Sequence, residues 1–151
     1  MPQNDVEHKW RIAELKYRYL RAIDEDDTES LLNCFTEDAV IDHVDGFGHM
    51  EGREEYAEWC RNTTAGAMNS MHMAMNPLID VDGEEANGRS NFLVIITQDD
   101  RAEIAQGSEQ DAYRLVDGEW KHTHLKTWRN FTIDISDLGI EEGRGDSVTG
   151  K

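Results

Sequence analysis

No stretch of this sequence is apolar for long enough to span a bilayer. The opening residues, Met1-Pro2-Gln3-Asn4-Asp5, carry neither the basic segment nor the apolar one of a secretion signal. Positive charge is scarce: 15 Lys and Arg stand against 32 Asp and Glu, a formal net charge of -17. A phosphate backbone or an anionic membrane would be repelled across most of such a surface, so neither nucleic acid nor membrane is an expected partner. Cysteine is almost absent. Cys34 and Cys60 each sit in an apolar periodic stretch, which fits buried free thiols better than a disulfide. These absences lead to the expectation of a cytoplasmic protein that meets small molecules or copies of itself.

At 151 residues the chain is long enough for one domain with a proper core and too short for two ordinary ones. Val6, Trp10, Ala13, Tyr17 and Leu20, joined by Ile12, Leu15, Tyr19 and Ile23, recur at helical spacing and predict a helix over about 5–23 with a broad apolar face. Asp27 or Thr28 can cap a short second helix carrying Leu31, Leu32 and Phe35. Ala39 to Val44 reads as a strand ended by the loop Asp45-Gly46-Phe47-Gly48, and Gly52 to Asn62 as a third helix. Four strands follow, Met71 to Val81, Ala86 to Thr97, Glu103 to Val116 and Trp120 to Ile133; Asp82-Gly83 and Asp117-Gly118 are strong hairpin signals between them. The order ααβαββββ predicts an α+β domain, with N-terminal helices packed on one face of a curved antiparallel sheet that closes around a pocket. The domain is expected over 5–135, and the acidic, Gly-rich residues 136–151 are expected to form a mobile tail.

Within that order two residues invite chemistry. Tyr19-Leu20-Arg21-Ala22-Ile23-Asp24 closes the first helix, and His72 lies in the strand Ser70-Met71-His72-Met73-Ala74-Met75-Asn76. An Asp that orients and charges an imidazole makes a base fit to take a proton. Taken singly, Asp24 belongs to an acidic run and a strand histidine is commonly a bonded core residue; only their joint placement favours catalysis. Alternation puts Ser70, His72, Ala74 and Asn76 on one face, with room beside the imidazole, and Met71, Met73 and Met75 on the other, where a second subunit is the preferred neighbour.

The element order and this pair resemble the SnoaL-like family of the nuclear-transport-factor-2-like superfamily over about residues 6–133, and above all its bile acid dehydratase, hexachlorocyclohexane dehydrochlorinase and scytalone dehydratase group. That group pairs an Asp after the first helix with a His on the strand after the third, the positions of Asp24 and His72. Met71-His72-Met73 followed by Pro77 and Ile79-Asp80-Val81-Asp82 is similar to the bile acid enzyme's stretch around its histidine. Tyr19 matches its tyrosine five residues before the aspartate, Arg129 an arginine on the last strand, and His43 a pocket tyrosine. The chain departs from the pattern at Val94, where the bile acid enzyme has a further aspartate, and near Ile104, where scytalone dehydratase has a second histidine. The class of chemistry is therefore better supported than the substrate.

The resemblance implies a cone-shaped fold and a cofactor-independent lyase, a dehydratase or dehydrohalogenase, acting on a hydrophobic, cyclic or steroid-like molecule. His72 would be the base, Asp24 its orienter, Tyr19 and Arg129 the partners of the leaving group or carbonyl, and His43 an auxiliary. An isomerisation or an aldol cyclisation could use the same pair. A noncatalytic ligand binder or a subunit like the β chain of ring-hydroxylating dioxygenases is the alternative. The superfamily's habit implies a homo-oligomer, trimer or dimer.

Other motifs carry less. His122-Thr123-His124 places two imidazoles on one strand face without a third ligand at motif spacing, and solvent-facing polar residues are the expectation, with no metal. Residues 145–151 spell G-x-x-x-x-G-K without the Ser or Thr, strand and helix of a phosphate loop.

Overall fold

The computed structural model describes residues 3–44, 48–63, 69–98 and 101–138. Helix α1 (Gln3–Asp24) and helix α2 (Thr28–Asn33) lead into strand β1 (Phe35–His43) and strand β2 (Gly48–Glu51). Helix α3 (Arg53–Thr63) follows, then strands β3 (Asn69–Asp82), β4 (Glu85–Gln98), β5 (Arg101–Val116) and β6 (Glu119–Asp134), with a 3-10 turn at Ser136–Leu138. One open, curved sheet in the order β2-β1-β6-β5-β4-β3 wraps the helices; β1 runs parallel to β6 and every other pairing is antiparallel. This is the expected α+β class. The expected tail falls mostly on 139–151, outside the described residues.

The end of α1 is built to aim Asp24 at β3. Asp26 takes a positive φ of 54°, and the N–H groups of Asp26 and Asp27 donate back to the carbonyls of Ile23 and Ala22. That is a Schellman closure, which satisfies the last carbonyls and holds Asp24 in the final helical turn. Asp27 then caps α2, accepting from the Ser30 backbone N–H at 3.0 Å.

The core lies between α1 and the concave sheet face, where Ile12, Leu15, Tyr19 and Leu20 meet Phe35, Ile41, Trp120 and Leu125. At the β5–β6 turn both Asp117 and Gly118 have positive φ, as a type I′ turn requires. Cys34 and Cys60 are buried thiols, and burial pushes them up to about 11 and about 12, which keeps both protonated at neutral pH.

Four expectations need correction. The Phe35 assignment to the second helix fails because Cys34 already ends it: the Cys34 carbonyl accepts from the His122 N–H at 2.9 Å, drawing Phe35 into register with β6. The segment after the first strand is not only loop, since Gly48–Glu51 folds back on β1 as β2, too short to show a period of its own. Val6, Trp10 and Tyr17 are exposed and not part of the core face. They lie roughly 165° round the helix from the Ile12–Leu15–Tyr19 stripe at ~100° per residue, on the opposite side of α1.

The fourth concerns His122 and His124, which do not share a face and are not both in solvent. Tyr113 pairs with His122 and Ala112 with His124, leaving Thr123 as a bulge that reverses the alternation. His122 is fully buried, 4.9 Å between ring centroids from Phe35 and 4.7 Å from Tyr113. Burial, with Lys16 nearby, holds its pKa well below the ordinary histidine value. His124 faces outward and bonds Asp42 at 2.8 Å.

Candidate active site

Ser70 and His72 leave β3 on its concave face and converge on Asp24. The carboxylate accepts from Ser70 Oγ on Oδ1 at 2.8 Å and from the His72 backbone N–H on Oδ2 at 2.8 Å. His72 Nδ1 meets Oδ1 at 2.6 Å. A carboxylate at a helix C-terminus faces the negative end of the dipole, so these donors are needed to keep it charged there. Burial works to raise the Asp24 pKa, but the bonds from the His72 ring, the His72 backbone and Ser70 outweigh it and hold the carboxyl below its ordinary value. With Nδ1 donating to Asp24, Nε2 is the ring nitrogen left with a lone pair.

His72 lies on the wall of a cavity of about 460 Å³ between the helices and the sheet. That volume suits a small molecule of two or more rings. Its apolar walls include Leu20, Ile23, Phe92, Val94 and Ile96; Val94 is the direct β4 neighbour of His72. Of the other expected site residues, Tyr19, His43 and Arg129 line it too, while Asp24 stands behind His72. Tyr19 hydroxyl lies 2.9 Å from Tyr56 hydroxyl, both rings buried. Burial first, then the surrounding charges for Tyr19 and its tyrosine neighbour for Tyr56, pushes both phenols well above the ordinary tyrosine value, so each stays protonated as a hydrogen-bond donor.

His43 Nδ1 is 2.8 Å from Thr127 Oγ1, and its ring stacks on Trp59 at 5.0 Å. Arg129 reaches the cavity while its Nη1 donates to Glu103 Oε1 at 3.2 Å. A short run of register explains their grouping: His43 pairs with Thr127 and Thr127 with Glu109, one row across three strands, with Arg129 one inward position along β6.

Sequence reading missed Tyr56, Trp59, Thr127 and Glu109 at this cavity, and Lys16 and Asp111 just behind it. The signal was present for the charged three. Lys16 stands in the buried stripe of α1, and Glu109 and Asp111 share alternation parity with the buried Ala105, Gly107 and Tyr113. Lys16 Nζ is 2.8 Å from Glu109 Oε2 and 3.2 Å from Asp111 Oδ2. Tyr113 hydroxyl donates to Asp111 at 2.9 Å, and Ser90 Oγ to Glu109 at 3.2 Å.

The SnoaL-like domain family matches residues 4–126. Among solved structures, a candidate scytalone dehydratase from Novosphingobium aromaticivorans is similar at 26% identity, with a TM-score of 0.81 over 89% of this chain and 91% of its own. A candidate aromatic ring hydroxylase from the same organism shares 25% identity, with a TM-score of 0.80 over 87% of this chain and 96% of its own. The hexachlorocyclohexane dehydrochlorinase LinA-type3 of Novosphingobium barchaimii, at 17% identity, shares the fold with a TM-score of 0.84 over 95% of this chain and all of its own. No curated protein sequence matches the chain. No helix among the described residues is long and apolar enough to cross a membrane. With the family spanning most of its length and its fold shared with these structures, the chain belongs to the SnoaL-like family of the nuclear-transport-factor-2-like superfamily.

Proposed function

We propose that this protein is a cofactor-independent lyase, a dehydratase or dehydrohalogenase, that takes a carbon-bound proton from a hydrophobic cyclic molecule. The observation that carries the reading is the 2.6 Å bond between His72 Nδ1 and Asp24 on the wall of a cavity large enough for such a substrate. In this mechanism Nε2 of His72 removes the proton, and Asp24 stabilises the imidazolium as it forms. The electrons of the broken C–H bond form the alkene as a hydroxyl or halide departs from the neighbouring carbon. A departing hydroxyl leaves as water after taking a proton, delivered by the imidazolium or through the hydrogen-bonded Tyr19 and Tyr56 phenols. Arg129 and His43 serve the carbonyl or the leaving anion.

The similarity to a candidate scytalone dehydratase supports elimination over other uses of the same base. An isomerase or cyclase would use the dyad identically and differ in its substrate. The open cavity argues against a purely structural subunit, whose pocket would be filled by core side chains. The same reading makes the protein a homo-oligomer, trimer or dimer, assembled through the outer sheet face, where Met71, Met75, Leu78, Phe131 and Ile133 are exposed.

The test is turnover of β-hydroxy ketones, steroid and bile-acid CoA thioesters and halogenated cyclohexanes by wild type and His72→Ala, read as conjugated alkene absorbance. Turnover lost in a folded variant supports the reading. Turnover that survives the substitution removes His72 as the base.

A further inference from the structure

The cavity is not uniformly apolar beyond the dyad. Glu109 is only 4% exposed, yet its side chain forms part of the cavity wall. The β4–β5 pairs Val94–Ala105 and Ser90–Glu109 lie four residues apart on each strand, and Val94 is the neighbour of His72. At ~3.3 Å a residue the Glu109 row is therefore about 13 Å along the sheet from the His72 row. His72 and Glu109 thus stand at separate stations of one cavity, a ring system apart.

The charge arrangement gives that second station a sign. Lys16 and Ser90 both donate to Glu109 Oε2, and two donors do not exhaust the acceptor positions of a carboxylate. Lys16 also serves Asp111, so one positive charge is shared between two carboxylates. An anionic substrate group is repelled from this end. Arg129, paired with Gly107 between the Glu109 row and the Ala105 row, and Arg101, at the start of β5, line the same cavity and suit an anion or a carbonyl oxygen nearer His72. Burying a charged trio at a ligand wall is costly where apolar packing would serve, and such charges concentrate at functional sites.

We propose that Glu109 is a specificity-determining residue: its carboxylate accepts a hydrogen bond from a neutral hydroxyl on the substrate's far ring and so fixes which carbon meets His72. The substrate class narrows to hydroxylated, uncharged ring compounds of about two or more rings. This deepens the lyase reading and rests on it for the end of the molecule that faces the base.

Equilibrium binding separates the two. Calorimetry at neutral pH on the full chain, with β-naphthol, its methyl ether and naphthalene as probes, reads the subsite without any turnover. Wild type is expected to bind β-naphthol at least about tenfold more tightly than the ether, the range of a hydrogen bond to a charged group. Glu109→Gln should shrink that preference to under ~threefold, while His72→Asn should keep it. A phenol preference beside turnover that survives His72→Ala removes His72 as the base and leaves the subsite standing. Equal binding of phenol and ether by wild type, or no binding of any probe, overturns the subsite whether or not the variants fold. A Glu109→Gln protein that is less stable but keeps the full preference assigns the residue to structure alone and overturns it too.

Discussion

Asp24 and His72 are joined twice: the His72 backbone N–H donates to Oδ2 at 2.8 Å and its ring Nδ1 to Oδ1 at 2.6 Å. The first bond pins strand to helix end, and the second sets the imidazole tautomer. Structural and chemical roles therefore separate on substitution. His72→Asn keeps the backbone bond and should retain the fold while lowering kcat by about 10²- to 10⁴-fold. Asp24→Asn leaves the imidazole free to take its other tautomer and should cost a comparable factor. Steady-state kinetics beside circular dichroism checks both. An Asp24→Asn enzyme within twofold of wild type would confine Asp24 to holding the strand.

The same carboxyl links the site to acid stability. Its folded pKa lies below the unfolded value, so its contribution is present above about pH 4 and is lost as pH falls through the folded pKa. In acid titrations of melting temperature, Asp24→Asn should show a shallower decline below about pH 4 than wild type. Parallel curves would mean the carboxyl is no better bonded in the folded chain than in the unfolded one.

Tyr19 and Tyr56 share one hydrogen bond of 2.9 Å between buried phenols. Removing the Tyr56 hydroxyl strands that of Tyr19, at about 1–3 kcal/mol of stability, whereas Tyr56 keeps its bond to the Cys60 thiol when Tyr19 is truncated. If the phenols assist the leaving group, Tyr19→Phe and Tyr56→Phe should each lower kcat by about tenfold or more with little change in KM. Melting temperatures that fall while kcat holds would make the pair a core contact only.

Periodicity carried the helices and long strands into view, and the Asp-Gly turns marked where strands reverse. Features that break a period were not visible. The Thr123 bulge separates His122 from His124, and a second register shift between Met75 and Leu78 leaves Asn76 exposed at a positive φ of 54°. Neither leaves a mark in composition. The contact between Asp24 and His72 was legible because both obey the local pattern, Asp24 closing a helix and His72 keeping strand parity. Lys16, Glu109 and Asp111 also obey it, but their charge argued for solvent, and only their mutual pairing explains their burial.

Gly107 tests how tightly the cavity wall is built. A Cβ there would lie 2.2 Å from the Trp128 carbonyl oxygen and 2.3 Å from the Phe92 ring. The oxygen belongs to the neighbouring β6 backbone and cannot yield without moving the strand. Gly107→Ala should cost about 1–3 kcal/mol by urea denaturation and displace Phe92 from the cavity wall. An unchanged midpoint would mean that the strand pair has slack at this bulge.

Lys16 makes the sharpest prediction about the buried trio, because its removal and a change of pH act on the same charges. Burial pushes the Asp111 carboxyl up to about 6; Lys16 opposes this and Glu109 adds to it. The folded pKa thus exceeds the unfolded value, so the stabilising effect of protonating Asp111 is complete below about pH 4 and is lost as pH rises through about 6. Wild type should therefore lose melting temperature relative to Asp111→Asn between pH 4 and 7, since the amide carries no such charge. Lys16→Met leaves two buried carboxylates without their counter-charge and should cost about 3–5 kcal/mol near pH 8. The loss should be smaller near pH 5, where a proton can replace the ammonium, and smaller again with Asp111→Asn beside it. Urea titrations of the single and double variants at the two pH values measure all of this. A Lys16→Met cost that is the same at both would mean that these carboxylates do not depend on the lysine for their charge.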